Sequence, residues 1–554
     1  MRPWFAELPL VLATAAVFPF AAAADDPASP TAEPAEPAAG RAALDDAARA
    51  LDATRPKAAR ALLDGLDQET ARLPQARYLR GRLLFFEGRF DESLLELQAA
   101  IEGARTEPGW KLLRDRVELT REALAETRVV AGPSGAFSYR HFPGVDGVLP
   151  AYAERTLVAQ RAVLERLLGD VPDAPLEVAF LADAESLAAC SGLTVEQIER
   201  TGTVAVSKYG RIMILSPKAL AAGYPWLDTL AHELTHVLVD RVSWGRAPLW
   251  LHEGIAKLLE RHWSGAGGTL LSPEEAFLLD RAAREKRLIP LRRIHPSVAH
   301  LPSQEDAALA YAQVASFIDY FDRRLGGDWL RRLLGEIGDG RDIDTAFVAV
   351  SKFNVRRHYL WWEQAVSGKR QTPVPAVGLL KRRYRLGSTA GDGPLAAEAL
   401  DLEARRRLRL GDLLRLRGHL RGAVLEYQEA RKAAGSPSPD IGSRLAGALL
   451  ELGEYEAAAQ VAEETARFYP FLALAQVQLG RAVAAQGQAA SAAIALERAN
   501  GLNPFDPAVH CLLTELYGDL DRAEESQLER GHCRVLAAAE GKGSTTDQSK
   551  PAPR

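Results

Sequence analysis

The chain has 554 residues, too many for one hydrophobic core and enough for about three or four domains. Hydrophobic residues at 47% and charged residues at 25% match an ordinary folded protein and exclude a chain that is disordered throughout. A formal net charge of −5, with no basic face interleaved with aromatics, excludes a general attraction to phosphate backbones, so no nucleic-acid partner is expected.

Residues 1–24 read as a signal peptide. Arg2 gives a weak positive start, Leu10 to Ala24 is largely apolar, and Ala22-Ala23-Ala24 before Asp25-Asp26 suits a signal-peptidase cut, although Glu7 and Pro19 depart from the ideal. The apolar run is short for the ~20 residues that a bilayer span needs, which favours a cleaved signal over an anchor. The expectation is an exported protein, periplasmic or secreted in a bacterial envelope, with no stable membrane span after cleavage. Residues 25–41 are rich in Pro and Ala and read as a disordered linker.

Residues 42–131 carry a helical pattern. Tyr78-Leu79-Arg80-Gly81, followed by Phe85-Phe86-Glu87-Gly88-Arg89-Phe90-Asp91-Glu92-Ser93-Leu94, resembles a tetratricopeptide repeat, a unit of two packed helices. Gly81 would let the helices approach, Gly88 would end the first, and Ser93, Leu97 and Ala100 would face inward from the second.

Residues 134–376 change texture. Phe137 to Phe142, Leu176 to Leu181, Thr203 to Val206 and Arg211 to Leu215 are short strand-like runs, while Pro150 to Leu168 and Tyr224 to Arg241 carry helical periodicity. The pattern predicts an α+β domain. The run Gly210 to Leu215 is expected to form a sheet edge that an extended peptide could join by backbone pairing.

The second predicted helix contains His232-Glu233-Leu234-Thr235-His236. Histidines four residues apart project from one helical face and can chelate one cation. Glu233 between them is placed to take a proton from an attacking water and return it to a leaving amine. Leu230, Leu234, Val237 and Leu238 anchor the helix. A catalytic zinc site usually has three protein ligands, and Glu253, 17 residues after His236 in a helix expected to begin near Leu249, is the best third donor. His252 is its neighbour and competitor. Consecutive helical residues point about 100° apart, so only one of the two should face the metal, and spacing does not separate them.

HELTHVLVDR followed by APLWLHEGIAKLLE resembles the gluzincin metallopeptidases of the peptidase MA-like group, and the likeness continues through Ala310-Tyr311-Ala312-Gln313, Ser316 to Phe321, Leu325-Gly326-Gly327-Asp328 and Trp361-Trp362. The resemblance implies a zincin-like metallopeptidase domain that uses Zn2+, with His232, His236 and Glu253 as metal ligands and Glu233 as catalytic base. It also matches Tyr311 to a tyrosine that donates to the oxyanion. One position departs from the family pattern. Lys257 stands where thermolysin-like members carry an acid that orients a histidine, so that support must come from elsewhere, with Asp240 one turn after His236 as one option. The remaining histidines, His510 and His532 among them, lack ligand spacing and read as structural or exposed.

Residues 377–401 read as a linker and 402–540 as further tetratricopeptide repeats. Gly411/Gly418 and Gly480/Gly487 repeat the seven-residue spacing of Gly81/Gly88. Gly418 to Gly453 is 35 residues, and Gly453 to Gly487 and Pro470 to Pro504 are 34 each, the period of this repeat. Residues 541–554 read as a disordered tail. Cys190 reads as a buried apolar residue, whereas Cys511 and Cys533 are open to either pairing or burial as thiols.

The expected architecture is multi-domain: a central α+β zincin-like metallopeptidase domain with all-α tetratricopeptide-type helical repeats on both sides. Its expected activity is zinc-dependent hydrolysis of a peptide or protein substrate, with the repeats recruiting substrate or a protein partner. The alternative is a catalytically inactive peptidase-like domain in a repeat-based binding scaffold. The sequence does not specify the oligomeric state.

Overall fold

The computed structural model describes residues 38–104, 108–169, 175–265, 271–294, 304–368 and 400–546. The expected signal 1–24, most of both linkers, His295, His300 and residues 547–554 lie outside the described residues.

The N-terminal arm is built of the helices Ala38–Asp52, Pro56–Asp64, Pro74–Phe86, Phe90–Gly103 and Pro108–Ala123. The first starts inside the segment expected to be linker, where Gly40 packs against the Thr70 side chain. A Cβ at Gly81 would lie 2.7 Å from Leu97, and Ser93 donates to the Gly81 carbonyl at 2.7 Å, so a missing side chain sets the distance between these paired helices.

Five strands follow: β1 (Arg128–Ala131), β2 (Phe137–His141), β3 (Leu176–Leu181), β4 (Ala205–Lys208) and β5 (Arg211–Leu215), in the order β1-β2-β3-β5-β4. β3 pairs parallel with β2 and β5, while β1 and β4 pair antiparallel at the two margins. Two expectations are corrected here. Residues 128–131 belong to the sheet, not to the helical arm. β5 is an interior strand, and the margin is β4. Lys208 pairs with Arg211 across Tyr209 and Gly210, whose φ values of 54° and 73° make a tight left-handed turn that folds β4 back over β5.

The β4–β5 hairpin is fastened to the N-terminal arm. The buried Arg211 guanidinium lies 4.9 Å from the Phe85 ring and 5.0 Å from the Phe90 ring, and donates to the Phe85 carbonyl. Glu177 on β3 accepts from Arg140 at 2.9 Å and faces Arg211 at 3.8 Å.

The C-terminal arm consists of four helical hairpins: Leu402–Leu416 with Leu420–Ala434, Pro439–Leu452 with Tyr455–Phe468, Ala473–Ala485 with Ala489–Asn500, and Pro507–Asp519 with Ala523–Thr546. The last helix runs into the segment expected to be tail. Gly418, Gly453 and Gly487 all adopt left-handed φ between helices, and a Cβ at Gly480 would lie 2.6 Å from Leu496. Cys511 and Cys533 form a disulfide across the last hairpin. Among the described residues no helix is long and apolar enough to cross a membrane.

Both arms grip the helix Trp226–Ser243, which carries the histidine motif. At its start, Trp226 Nε1 donates to the Asn500 carbonyl at 2.9 Å and the Tyr224 amide donates to the Leu502 carbonyl at 3.0 Å. At its end, Arg55 donates to the Arg241 carbonyl at 2.7 Å and covers the Trp244 ring at 3.6 Å, while Arg241 donates to the Thr54 carbonyl at 3.0 Å. Trp244 ends the helix in a left-handed conformation, φ 54°, which is costly for a bulky residue and is held by this contact.

Candidate metal centre

The motif helix packs against β4 and β5, against the long helix Leu149–Leu168 and against the helix Leu249–Leu259. Gln160 ties these helices together. Its buried amide donates to Thr235 Oγ1 at 3.1 Å and to the Leu259 carbonyl at 3.2 Å. The helix that bears Glu253 is therefore fixed relative to the one that bears the histidines.

His232, His236 and Glu253 converge. Glu253 Oε2 lies 3.4 Å from His232 Nε2 and 3.6 Å from His236 Nε2, and all three side chains are buried. The choice between Glu253 and His252 is resolved by direction. His252 turns to Asp240, with Nε2 at 3.3 Å from Oδ1. Asp240 therefore supports His252 and not His236.

The carboxylate that Lys257 displaces is supplied by Glu260, which sequence reasoning missed. Glu260 Oε2 lies 3.1 Å from His232 Nδ1, and Lys257 sits 2.9 Å from the other Glu260 oxygen and 3.4 Å from Glu275. The signal was present in the spacing. Glu260 follows Glu253 by seven residues, two helical turns along the same face.

The electrostatics follow from burial. Burial pulls His232 down, but Glu253 and Glu260 overcome it and hold the imidazole at about 10. His236 is pushed well below the usual histidine range by burial and then by His232 and His252. Burial raises Glu233 to about 7, against the pull of His232 and the hydrogen bonds of Ser207 on β4. Burial also raises Glu253. Tyr311, half-buried on the helix Gln304–Leu325, is raised well above the usual phenol range by burial and by the charge of Glu253. Tyr311 thus lies within electrostatic reach of Glu253 and stays protonated.

These residues suit a metal ion. His232 Nε2, His236 Nε2 and both Glu253 oxygens are buried without a hydrogen bond, as is one Glu233 oxygen. Such orphans are costly unless something else fills their place. In a tetrahedral zinc site with bonds near 2.0–2.1 Å, ligand atoms stand roughly 3.3 Å apart, close to the separations around Glu253. Two imidazoles and a carboxylate are also the donor set of a catalytic zinc with one open position.

Residues 158–368 match the family described as the Peptidase MA superfamily. No curated protein matches the chain. Among solved structures, MamA from Desulfovibrio magneticus RS-1 is 20% identical, with 24% of this chain and 76% of that one covered and a TM-score of 0.23. A thermophilic TPR protein in Thermus thermophilus is 21% identical, with 24% and 74% covered and a TM-score of 0.22. The match to the Peptidase MA superfamily covers the segment holding His232, His236, Glu253 and Tyr311, which lies between two arms of paired helices.

Proposed function

We propose that the central domain is a zinc-dependent peptidase in which His232, His236 and Glu253 hold the metal and Glu233 is the general base. The observation that carries this reading is the set of three buried ligand groups without hydrogen bonds at their facing atoms, His232, His236 and Glu253, with Glu233 beside them. When bound, zinc supplies Lewis-acid polarisation of a carbonyl and makes a water acidic enough to attack at neutral pH.

The protein groups do the rest. A Glu233 carboxyl held near 7 changes protonation within the operating range, so it can take a proton from the attacking water and pass it to the departing amine. Tyr311, kept protonated, donates to the oxygen on which negative charge develops. β4 lies at the sheet margin and its Ser207 touches Glu233, so a substrate strand paired along β4 would bring its carbonyl beside the base. The C-terminal hairpins, joined to the motif helix through Trp226, recruit substrate or a protein partner. Export to the bacterial envelope is supported by the residue 1–24 pattern and by the Cys511–Cys533 disulfide, which suits an oxidising compartment.

The test is mass-spectrometric profiling of a peptide library by the purified chain as isolated, after chelation, and after zinc is restored. Cleavage that vanishes on chelation and returns with zinc supports the reading. Cleavage indifferent to chelation contradicts it.

A further inference from the structure

A second cluster of the same side-chain types lies where the C-terminal hairpins meet the peptidase domain. His510 sits on the helix Pro507–Asp519, and Glu529 and His532 lie three residues apart on one face of the helix Ala523–Thr546. The disulfide joins Cys511 and Cys533, the neighbours of the two histidines, so it fixes both imidazoles across the hairpin. Tyr152, from the long helix of the peptidase domain, reaches into the cluster. All four side chains are buried.

The lone pairs of His510 and Glu529 need a proton or a metal ion between them. His510 Nε2 lies 2.9 Å from the Pro504 carbonyl, to which it can only donate, so in the neutral ring Nδ1 carries the lone pair. That nitrogen faces Glu529 Oε2 at 2.5 Å. Two acceptors this close need a proton between them, on His510 or on Glu529, or a metal ion. A proton serves one such pair, yet this cluster gathers more donors around the same point. His532 Nδ1 lies 3.9 Å from the same Glu529 oxygen, and Tyr152 Oη lies 3.3 Å from His510 Nδ1, 3.4 Å from His532 Nδ1 and 2.6 Å from Glu529 Oε1. The backbone partner of His510 is the contact that fixes tautomer and ring direction for a metal-ligating histidine.

We propose that His510, Glu529 and His532 bind a second zinc ion, with Tyr152 Oη at the fourth corner, as a structural site joining the C-terminal hairpins to the peptidase domain. Two imidazoles and a carboxylate favour zinc over oxygen-preferring magnesium or calcium, and the cysteines are committed to each other. The longer separations start at the roughly 3.3 Å of a tetrahedral site and reach 3.9 Å, and the two short ones open by under about 1 Å on loading. Asn500 connects the site to the catalytic centre. Its side-chain amide donates to Tyr152 Oη at 3.2 Å while its carbonyl holds Trp226 at the start of the motif helix.

The experiment uses the full chain carrying His232→Ala and His236→Ala, which removes the first site and leaves the second intact. After zinc loading and dialysis, elemental analysis should find about one zinc per chain against about two in the wild type. Cobalt substitution should give the visible absorption of a low-symmetry site, and chelation should lower the melting temperature. The near-isosteric Glu529→Gln, added to that double variant, should abolish the remaining binding. A double variant that holds no zinc and melts alike with and without chelator would overturn the second site, leaving a shared proton in its place. A double variant that holds as much zinc as the wild type would instead overturn the first site and leave the second standing.

Discussion

Glu260 Oε2 lies 3.1 Å from His232 Nδ1. A carboxylate only accepts, so Nδ1 carries the hydrogen, and it is Nε2 that would give up its proton to bind a metal shared with Glu253. Burial opposes the charge on Glu260, but Lys257 and His232 lower its pKa and keep it ionised. Removing this support with Glu260→Ala should weaken zinc binding by about 10–100-fold, measured by competition with a chromophoric chelator. Unchanged affinity would mean that Glu260 does not set the ring.

Gly254 follows Glu253, and helix propensity alone says that Ala is better there by ~1 kcal/mol. Packing says the opposite. A Cβ at this position would lie 2.5 Å from Ile318 Cγ1 and 3.1 Å from the Val314 carbonyl, both on the helix that carries Tyr311. Gly254→Ala should destabilise the protein by about 1–3 kcal/mol and slow hydrolysis by displacing Glu253 from Tyr311. A raised melting temperature with unchanged turnover would refute this account of the glycine.

The end of the motif helix depends on Arg55, which bonds the Arg241 carbonyl and covers Trp244. Arg55→Ala should lower unfolding free energy by about 1–2 kcal/mol, from the lost cation–π contact and hydrogen bond. Urea denaturation followed by tryptophan fluorescence measures it, and an unchanged midpoint would show that the N-terminal arm does not brace the helix.

Acid should loosen the join between the sheet and the N-terminal arm. Burial would raise the Glu177 carboxyl, but Arg211 and Arg140 overcome this and hold it below its ordinary value of 4.5. A carboxyl with a lowered folded pKa contributes stability that is present above the unfolded value and lost as pH falls through the folded one. Wild type should therefore lose stability below pH 4.5 more steeply than Glu177→Gln, which is weaker at neutral pH. Parallel melting curves across that range would contradict it.

Much of this architecture was legible because local pattern and tertiary role agree. Leu176–Leu181 and Arg211–Leu215 form strands over the expected residues, and Gly81, Gly418 and Gly487 sit at the close approaches and turns that their spacing implied. β1 escaped because all four of its residues are exposed, so no apolar alternation marks it. The margin was misassigned to β5 because strand order depends on the Tyr209-Gly210 turn and not on hydrophobicity. His252 and Glu253 were inseparable until the orientation of their helix was known. The Cys511–Cys533 bond, and the gathering of His510 and His532 beside it, likewise needed the hairpin to be folded.

The central claim is that Glu233 acts as base in a metal site it does not build. Glu233→Gln preserves size and removes the titrating carboxyl, so zinc content and peptide cleavage should be measured together on this variant and the wild type. Equal zinc in both, with cleavage reduced by about 10²–10⁴-fold in the variant, is the predicted result. Equal cleavage by both, or a wild type that takes up no zinc, would contradict it.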